Sequence, residues 1–350
     1  MTIARRRFLA LAGSAVAAPA LLREGHAQAP QVTLKLHHFL PPVANVPTHF
    51  LTPWARKVEA DSQGRIKIDI FGTMQLGGAP PQLYDQVRDG VVDLAWTLPG
   101  YTAGRFPRSE AIENPFVSHR TALVNALAMQ EFYEGHIREE FNEVHPIAVW
   151  AHDRGVIHVN RRIEKLEDLK GVKLRFPTRL AGEALKALGA TAIGMPVPQV
   201  PESIAQRVID GAVVPWEVVP SIKLDELVKF HTEIPGSKSL YTSVMILAMN
   251  KAKYDGLPAD LKAVLDRNSG QAAARMAAVP FDKTAPQVIE TVNRKNGTIV
   301  TISEAEAQRW EKTTEPVIEA WTKQVKDRGI DGAKLVETVR GLIAKHEKAA

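Results

Sequence analysis

Val32-Thr33-Leu34-Lys35-Leu36-His37 alternates apolar and polar side chains, the period-two pattern of a half-buried strand, and its continuation as far as residue 96 decides the fold. Pro41, Pro42 and Pro47 mark a loop, after which residues 50–61 read as an amphipathic helix with Leu51, Trp54 and Val58 on its apolar face. Ile66-Lys67-Ile68-Asp69-Ile70 is a second alternating run. Residues 83–88 read as a helix closed by Asp89-Gly90, and residues 91–96 as a third strand. Strand, helix, strand, helix, strand in that order predicts a parallel, doubly wound α/β sheet, because parallel neighbours need crossover connections that cover the sheet faces.

A second unit of the same kind lies downstream. After helices within 122–141 and a strand at 145–149, residues 155–160 open a new series. A turn at 166–169, a strand at 172–176, a helix at 181–188, a strand at 191–193, a helix at 202–209 and a strand at 212–214 make it up. Residues 241–249 form a long apolar strand, and residues 259–288 read as one long helix kinked at Pro280. The tail from Ser303 is helical except around 329–332. Such a chain crosses between two α/β lobes more than once, and a ligand belongs at the carboxyl ends of strands, in the cleft between them.

The N-terminus reads as an export signal. Arg5-Arg6-Arg7-Phe8-Leu9 precedes an apolar stretch at 10–22, interrupted by Gly13 and Pro19, and then small residues around Ala27. Residues 1–27 are expected to be a twin-arginine-type signal peptide, cut after Ala27 so that Pro30 does not open the mature chain. The mature protein is then expected in the periplasm. The 350 residues suggest two domains once the leader is removed. The chain has no cysteine, which excludes disulfides, thiolate catalysis and cysteine-zinc sites. Three units of the formal net charge of +5 come from the leader, where Arg5, Arg6, Arg7 and Arg23 face only Glu24. No Lys/Arg block with interleaved aromatics remains, so no nucleic-acid partner is expected.

No reaction chemistry assembles in the sequence. His37 and His38 are adjacent on a strand and point to opposite faces, so they cannot share a metal ion. There is no His-Glu-x-x-His, no Gly-x-Ser-x-Gly elbow and no phosphate loop. One residue stands out instead. In Asp168-Leu169-Lys170-Gly171-Val172-Lys173-Leu174-Arg175-Phe176-Pro177, a turn, a glycine and a short strand deliver Arg175 to a strand end. A guanidinium keeps its charge in any pocket and its planar fork matches a carboxylate. The alternative is a surface salt bridge.

These residues resemble the extracytoplasmic substrate-binding proteins of TRAP transporters, the DctP family. The resemblance rests on Phe71-Gly72-Thr73-Met74-Gln75-Leu76-Gly77, on Val87-Arg88-Asp89-Gly90-Val91-Val92-Asp93-Leu94, on the run from Leu166 to Arg175, and on Ile209-Asp210-Gly211-Ala212. It implies an α/β, two-lobe, periplasmic-binding-protein-like clamshell with doubly wound sheets, crossing strands and a long interlobe helix. Residues 30–151 and 240–280 would form lobe I, and residues 152–239 and 281–345 lobe II. Arg175 falls on the signature arginine that holds the ligand carboxylate.

The sialic-acid-binding members carry a further arginine where this chain has Gly155, and an asparagine where it has Val214. A sialic acid is therefore disfavoured. Pro215-Trp216-Glu217 resembles instead the branch that binds oxo, hydroxy and aromatic acids, some with a bound cation. Trp216 would wall the pocket or pack in the core. Glu217 would accept from a ligand hydroxyl, help hold a bridging cation, or form an ion pair within its lobe. Strand ends add His38, Phe39, Thr97, Tyr101 and His152 as candidates, and Met195-Pro196-Val197-Pro198 places Val197 in an apolar wall beside Val214.

The resemblance implies a binding protein that delivers a small organic acid, a 2-hydroxy, 2-oxo or aromatic monocarboxylate, to the TRAP membrane permease, without cofactor or catalysis. A monomer is expected, with a dimer as the alternative. A ligand-presenting sensor subunit and a periplasmic enzyme acting on an organic acid are the competing functions.

Overall fold

Eleven strands form two sheets in the computed structural model, which describes residues 29–349. The expected signal peptide lies outside the described residues. The strands are β1 Val32–His37, β2 Ile66–Phe71, β3 Leu94–Thr97, β4 Val144–Ala151, β5 Val156–Val159 and β6 Lys173–Phe176. Then come β7 Thr191–Gly194, β8 Gly211–Val214, β9 Phe230–Glu233, β10 Val244–Asn250 and β11 Thr298–Thr301. The first sheet has the order β2-β1-β3-β10-β4 and the second β11-β9-β5-β8-β6-β7.

Within each sheet the strands anticipated as parallel are parallel: β1 with β2 and β3, and β6 with β7 and β8. Each sheet also holds one strand of opposite sense. β10 runs antiparallel to β3 and β4, and β5 runs antiparallel to β8 and β9. The cause is the crossing itself. The chain leaves the first sheet along β4 and enters the second as β5, then leaves along β9 and returns as β10. Two connectors, 152–155 and 234–243, thus join the lobes. All seven residues of β10 are buried, as a central strand covered on both faces requires.

The helices are α1 Thr52–Asp61, α2 Leu83–Arg88, α3 Ala122–Phe132, α4 Arg179–Ala187, α5 Val200–Ala205 and α6 Leu224–Leu227. They continue with α7 Lys251–Asp255, α8 Ala259–Arg267, α9 Gly270–Arg294, α10 Glu304–Lys326 and α11 Gly332–Glu347. The single helix expected at 259–288 is two. It breaks at Asn268 and Ser269, because the Asn268 carbonyl accepts from Trp54 Nε1 at 2.7 Å while its side-chain amide donates to Asp61 at 2.8 Å. Pro280 and Pro286 sit inside α9, a helix of 25 residues.

α9 packs on α3 and β4 of the first lobe and reaches the turn Trp216–Val218 and β11 of the second. It is the third link between lobes. α10 lies on α4, but α11 returns to α3, so the end of the stretch 281–345 packs with the first lobe rather than the second.

Backbone approach in the second sheet is closest at Gly211, where a Cβ would lie 2.1 Å from the carbonyl oxygen of His158 on the paired strand. That neighbour is backbone and cannot move aside. Gly211→Ala is expected to destabilise the fold by at least the roughly 1–3 kcal/mol of an overpacked core. A urea unfolding midpoint equal to that of the natural chain would contradict this.

Candidate ligand-binding site

Arg175 lies on β6, buried to 2% exposure between β8 and β7. Its Nε donates to Met195 O at 2.8 Å and its Nη1 to Val213 O at 3.2 Å. These two carbonyls, from the chain just after β7 and from β8, aim the guanidinium along the sheet edge. Its Nη2 makes no well-aligned hydrogen bond to the protein, although the Tyr101 hydroxyl stands beside the guanidinium. Pro177 comes two positions later and lines the same cavity.

That cavity is narrow, with a volume of about 40 Å³, well below the usual ligand-pocket range of roughly 300–1,000 Å³. Three sources build it. Lobe I contributes Phe39, Leu40, Trp96, Leu98 and Tyr101. Lobe II adds Arg175 and Pro177, then Val197, Val214, Pro215, Glu217 and Val218. His152, Tyr241, Ser243 and Met245 come from the two connectors and the start of β10. Phe39 stacks on Trp96 with centroids 4.7 Å apart and meets Tyr101 edge-on at 5.6 Å, so the lobe I wall is aromatic. Five buried polar atoms of this lining have no protein partner: Trp96 Nε1, Arg175 Nη2, Glu217 Oε2, Tyr241 OH and Ser243 Oγ. Each such group costs about 1–3 kcal/mol when left unpaired in a dry site. A wider groove of about 710 Å³ beside Lys173 and Arg207 contains no such atom.

Burial sets the electrostatics. Burial opposes the charge of Arg175, while the hydroxyls of Tyr101 and Tyr241 support it. Glu217 is pushed well above the ordinary carboxylate range by burial and, secondarily, by Asp153, which favours its un-ionised form. Asp153 is itself raised to about 8 by burial, against the pull of Arg154. Burial also lowers His152 to about 4. Its Nδ1 donates to Asp153 O at 2.6 Å, which leaves Nε2 as the lone-pair nitrogen.

Seven of the ten candidates line the cavity: Arg175, Glu217, Phe39, Tyr101, His152, Val197 and Val214. Trp216 does not. Its ring packs edge-on against His158 at 5.0 Å and its Nε1 donates to Glu233 at 2.7 Å, where Arg154 also pairs, so it belongs to the lobe II core. His38 is buried behind the wall, tilted against Trp96 at 6.0 Å. Thr97 faces away, with its hydroxyl on Pro80 O at 3.4 Å. Strand parity explains this last miss. The flanking Trp96 and Leu98 point into the cavity, and the residue between them cannot.

Tyr241, Ser243 and Met245 were also missed, although their spacing of two puts them on one face of the returning chain. Gly155 gives Tyr241 its place. A Cβ at 155 would lie 1.8 Å from the Tyr241 ring, so no side chain fits there while Tyr241 stands. Among the described residues no group of three or more His, Asp or Glu is placed to hold a metal ion.

The family model for bacterial extracellular solute-binding proteins of family 7, DctP, matches residues 38–324. The chain belongs to that family. Its lobes superimpose on a TRAP solute-binding protein from Rhodoferax ferrireducens in complex with copurified benzoate, with TM-score 0.88 and 42% identity over 91% of this chain and 99% of that one. A marine-metagenome TRAP protein specific for aromatic acid ligands, solved with 3-hydroxybenzoate, gives TM-score 0.88 and 44% identity, covering 91% and 99%. Among curated proteins, the outer membrane transporter protein TsaT of Comamonas testosteroni is 24% identical over 321 residues, 91% of this chain and 93% of that protein. No helix among the described residues of this DctP-family chain is long and apolar enough to cross a membrane.

The buried acids predict a pH profile. A folded-state pKa of about 8 for Asp153, far above its unfolded value, adds stability at low pH that is lost as pH rises toward 8; Glu113, also raised to about 8, acts alike. His152, lowered to about 4, works in the opposite sense, but its contribution is complete once pH exceeds 6.5. Between pH 6.5 and 8 the carboxyls therefore dominate, and the melting temperature is expected to fall. Asp153→Asn should make that decline shallower. A slope identical to the natural chain's would mean that Asp153 is already ionised in the fold.

Proposed function

We propose that this chain is the periplasmic capture subunit of a TRAP transporter for small aromatic monocarboxylates, which it hands to the membrane permease. The observation that carries this reading is the unpartnered Nη2 of Arg175, held by two backbone carbonyls at the end of an aromatic-walled cavity. A ligand carboxylate satisfies that nitrogen, and the flat slot formed by Phe39, Trp96 and Tyr101 suits a ring. The benzoate and 3-hydroxybenzoate complexes of the two similar TRAP proteins support the class.

In this reading the lobes close by rotation about the connectors 152–155 and 234–243. Contacts that cross the cleft fit such a closed form. Glu110 takes Arg179 Nη2 at 2.5 Å and Nε at 3.2 Å, and the Tyr101 hydroxyl accepts from Val197 N at 3.2 Å. The cavity works as a binding site rather than a reaction site. Its one hydroxyl nucleophile of the serine type, Ser243, has no base hydrogen-bonded to it.

Arg175→Ala removes the only lining cation from a dry cleft, and unpairing a buried charge costs roughly 3–5 kcal/mol. Calorimetric benzoate binding is expected to weaken more than 100-fold, on the order of the low end of that cost. The variant should keep its circular dichroism spectrum. Benzoate affinity close to that of the natural chain would defeat the carboxylate assignment.

A further inference from the structure

Glu217 is the polar feature of a stretch that is otherwise apolar, between Val214, Pro215 and Val218 in the cavity lining. It is 4% exposed and its Oε2 has no partner in the protein. Its place is fixed from behind, because the indole of the preceding Trp216 is tied to Glu233 at 2.7 Å. Arg175 Nη2 and Glu217 Oε2 are thus two unsatisfied polar poles of one aromatic-walled lining, and a monocarboxylate satisfies one of them.

Resting on the aromatic-acid reading above, we propose that Glu217 is a specificity-determining residue that hydrogen-bonds a hydroxyl on the ring of the bound acid, so that hydroxylated aromatic monocarboxylates are selected over unsubstituted ones. The carboxylate at Arg175 orients the ring, and the ring carries its hydroxyl to the second pole. An un-ionised carboxyl both donates and accepts, as a phenol does, so the pair satisfies both groups. An acid without the hydroxyl leaves Oε2 dry, and buried polar groups left unpaired are what make such sites reject the smaller analogue. A second carboxylate on the ligand would face a group with no positive charge to spare, which confines the class to monoacids.

The test is calorimetric titration of the mature chain with benzoate, 3-hydroxybenzoate and 4-hydroxybenzoate. At least one hydroxylated isomer is expected to bind about tenfold or more tighter than benzoate, the scale of one buried hydrogen bond. Glu217→Gln keeps both a donor and an acceptor in the same shape and should retain that ratio. Glu217→Leu should bring it close to one. The Gln variant keeps the test decisive where the Leu variant folds poorly. Equal affinities for all three acids in the natural chain, or a preference that survives Glu217→Leu and collapses instead in Ser243→Ala or Tyr241→Phe, would overturn the assignment. Benzoate binding without a hydroxyl preference defeats Glu217 alone. Failure of all three acids to bind defeats the carboxylate role of Arg175 and this inference with it.

Discussion

Two backbone carbonyls, Met195 O and Val213 O, hold the Arg175 guanidinium, and the second lobe is arranged around that grip. A guanidinium cannot shed its proton at any ordinary pH, so burying it demands partners. Donors Nε and Nη1 find theirs in the protein. The third, Nη2, finds none, and the proposed carboxylate role rests on this shortfall. The sheet register that pairs Arg175 with Ile193 and Ala212 brings both carbonyls within reach, so strand order and ligand chemistry are set together.

The cleft inherits its composition from the way the chain crosses it. β4 and β10 lie side by side in the first sheet, as β5 and β9 do in the second. The connectors between them run along the cavity floor, so His152, Tyr241 and Ser243 stand where the lobes meet. Gly155 and Tyr241 come from different connectors and interlock, the glycine leaving the space that the ring fills. A larger residue at 155 would evict Tyr241 and change both the floor and the reach of the cavity.

Much of this was legible in the residues. The alternation in 32–37 and 66–70 showed strands directly, the helices between them made the pairing parallel, and Arg175 before Pro177 showed a guanidinium at a strand end. Strand sense was not legible for β5 and β10, because a continuous apolar run such as Val244–Asn250 carries no direction. β9 and β11 were not read as strands, since FHTE and TIVT are short and half polar. The helix break has a local signal, Asn268-Ser269-Gly270, which the reading of one long helix passed over, and Trp54 and Asp61 anchor it from more than 200 positions away. At the site, side-chain parity separated Trp96 from Thr97. The indole of Trp216 was lost to Glu233, a partner that becomes visible only when β9 is placed beside β5.

The unpartnered atoms of the cavity have a bearing on how the molecule reports its own loading. In an open cleft, water serves Trp96, Arg175, Glu217, Tyr241 and Ser243 at no cost. Shutting an empty shell would strip that water and leave all five polar atoms bare. The same shell shut over a matching guest leaves them satisfied, and the Glu110–Arg179 clasp across the mouth is then formed without a penalty inside. In the proposed cycle closure is conditional on content, and any partner that recognises only the shut outline would count passengers rather than carriers.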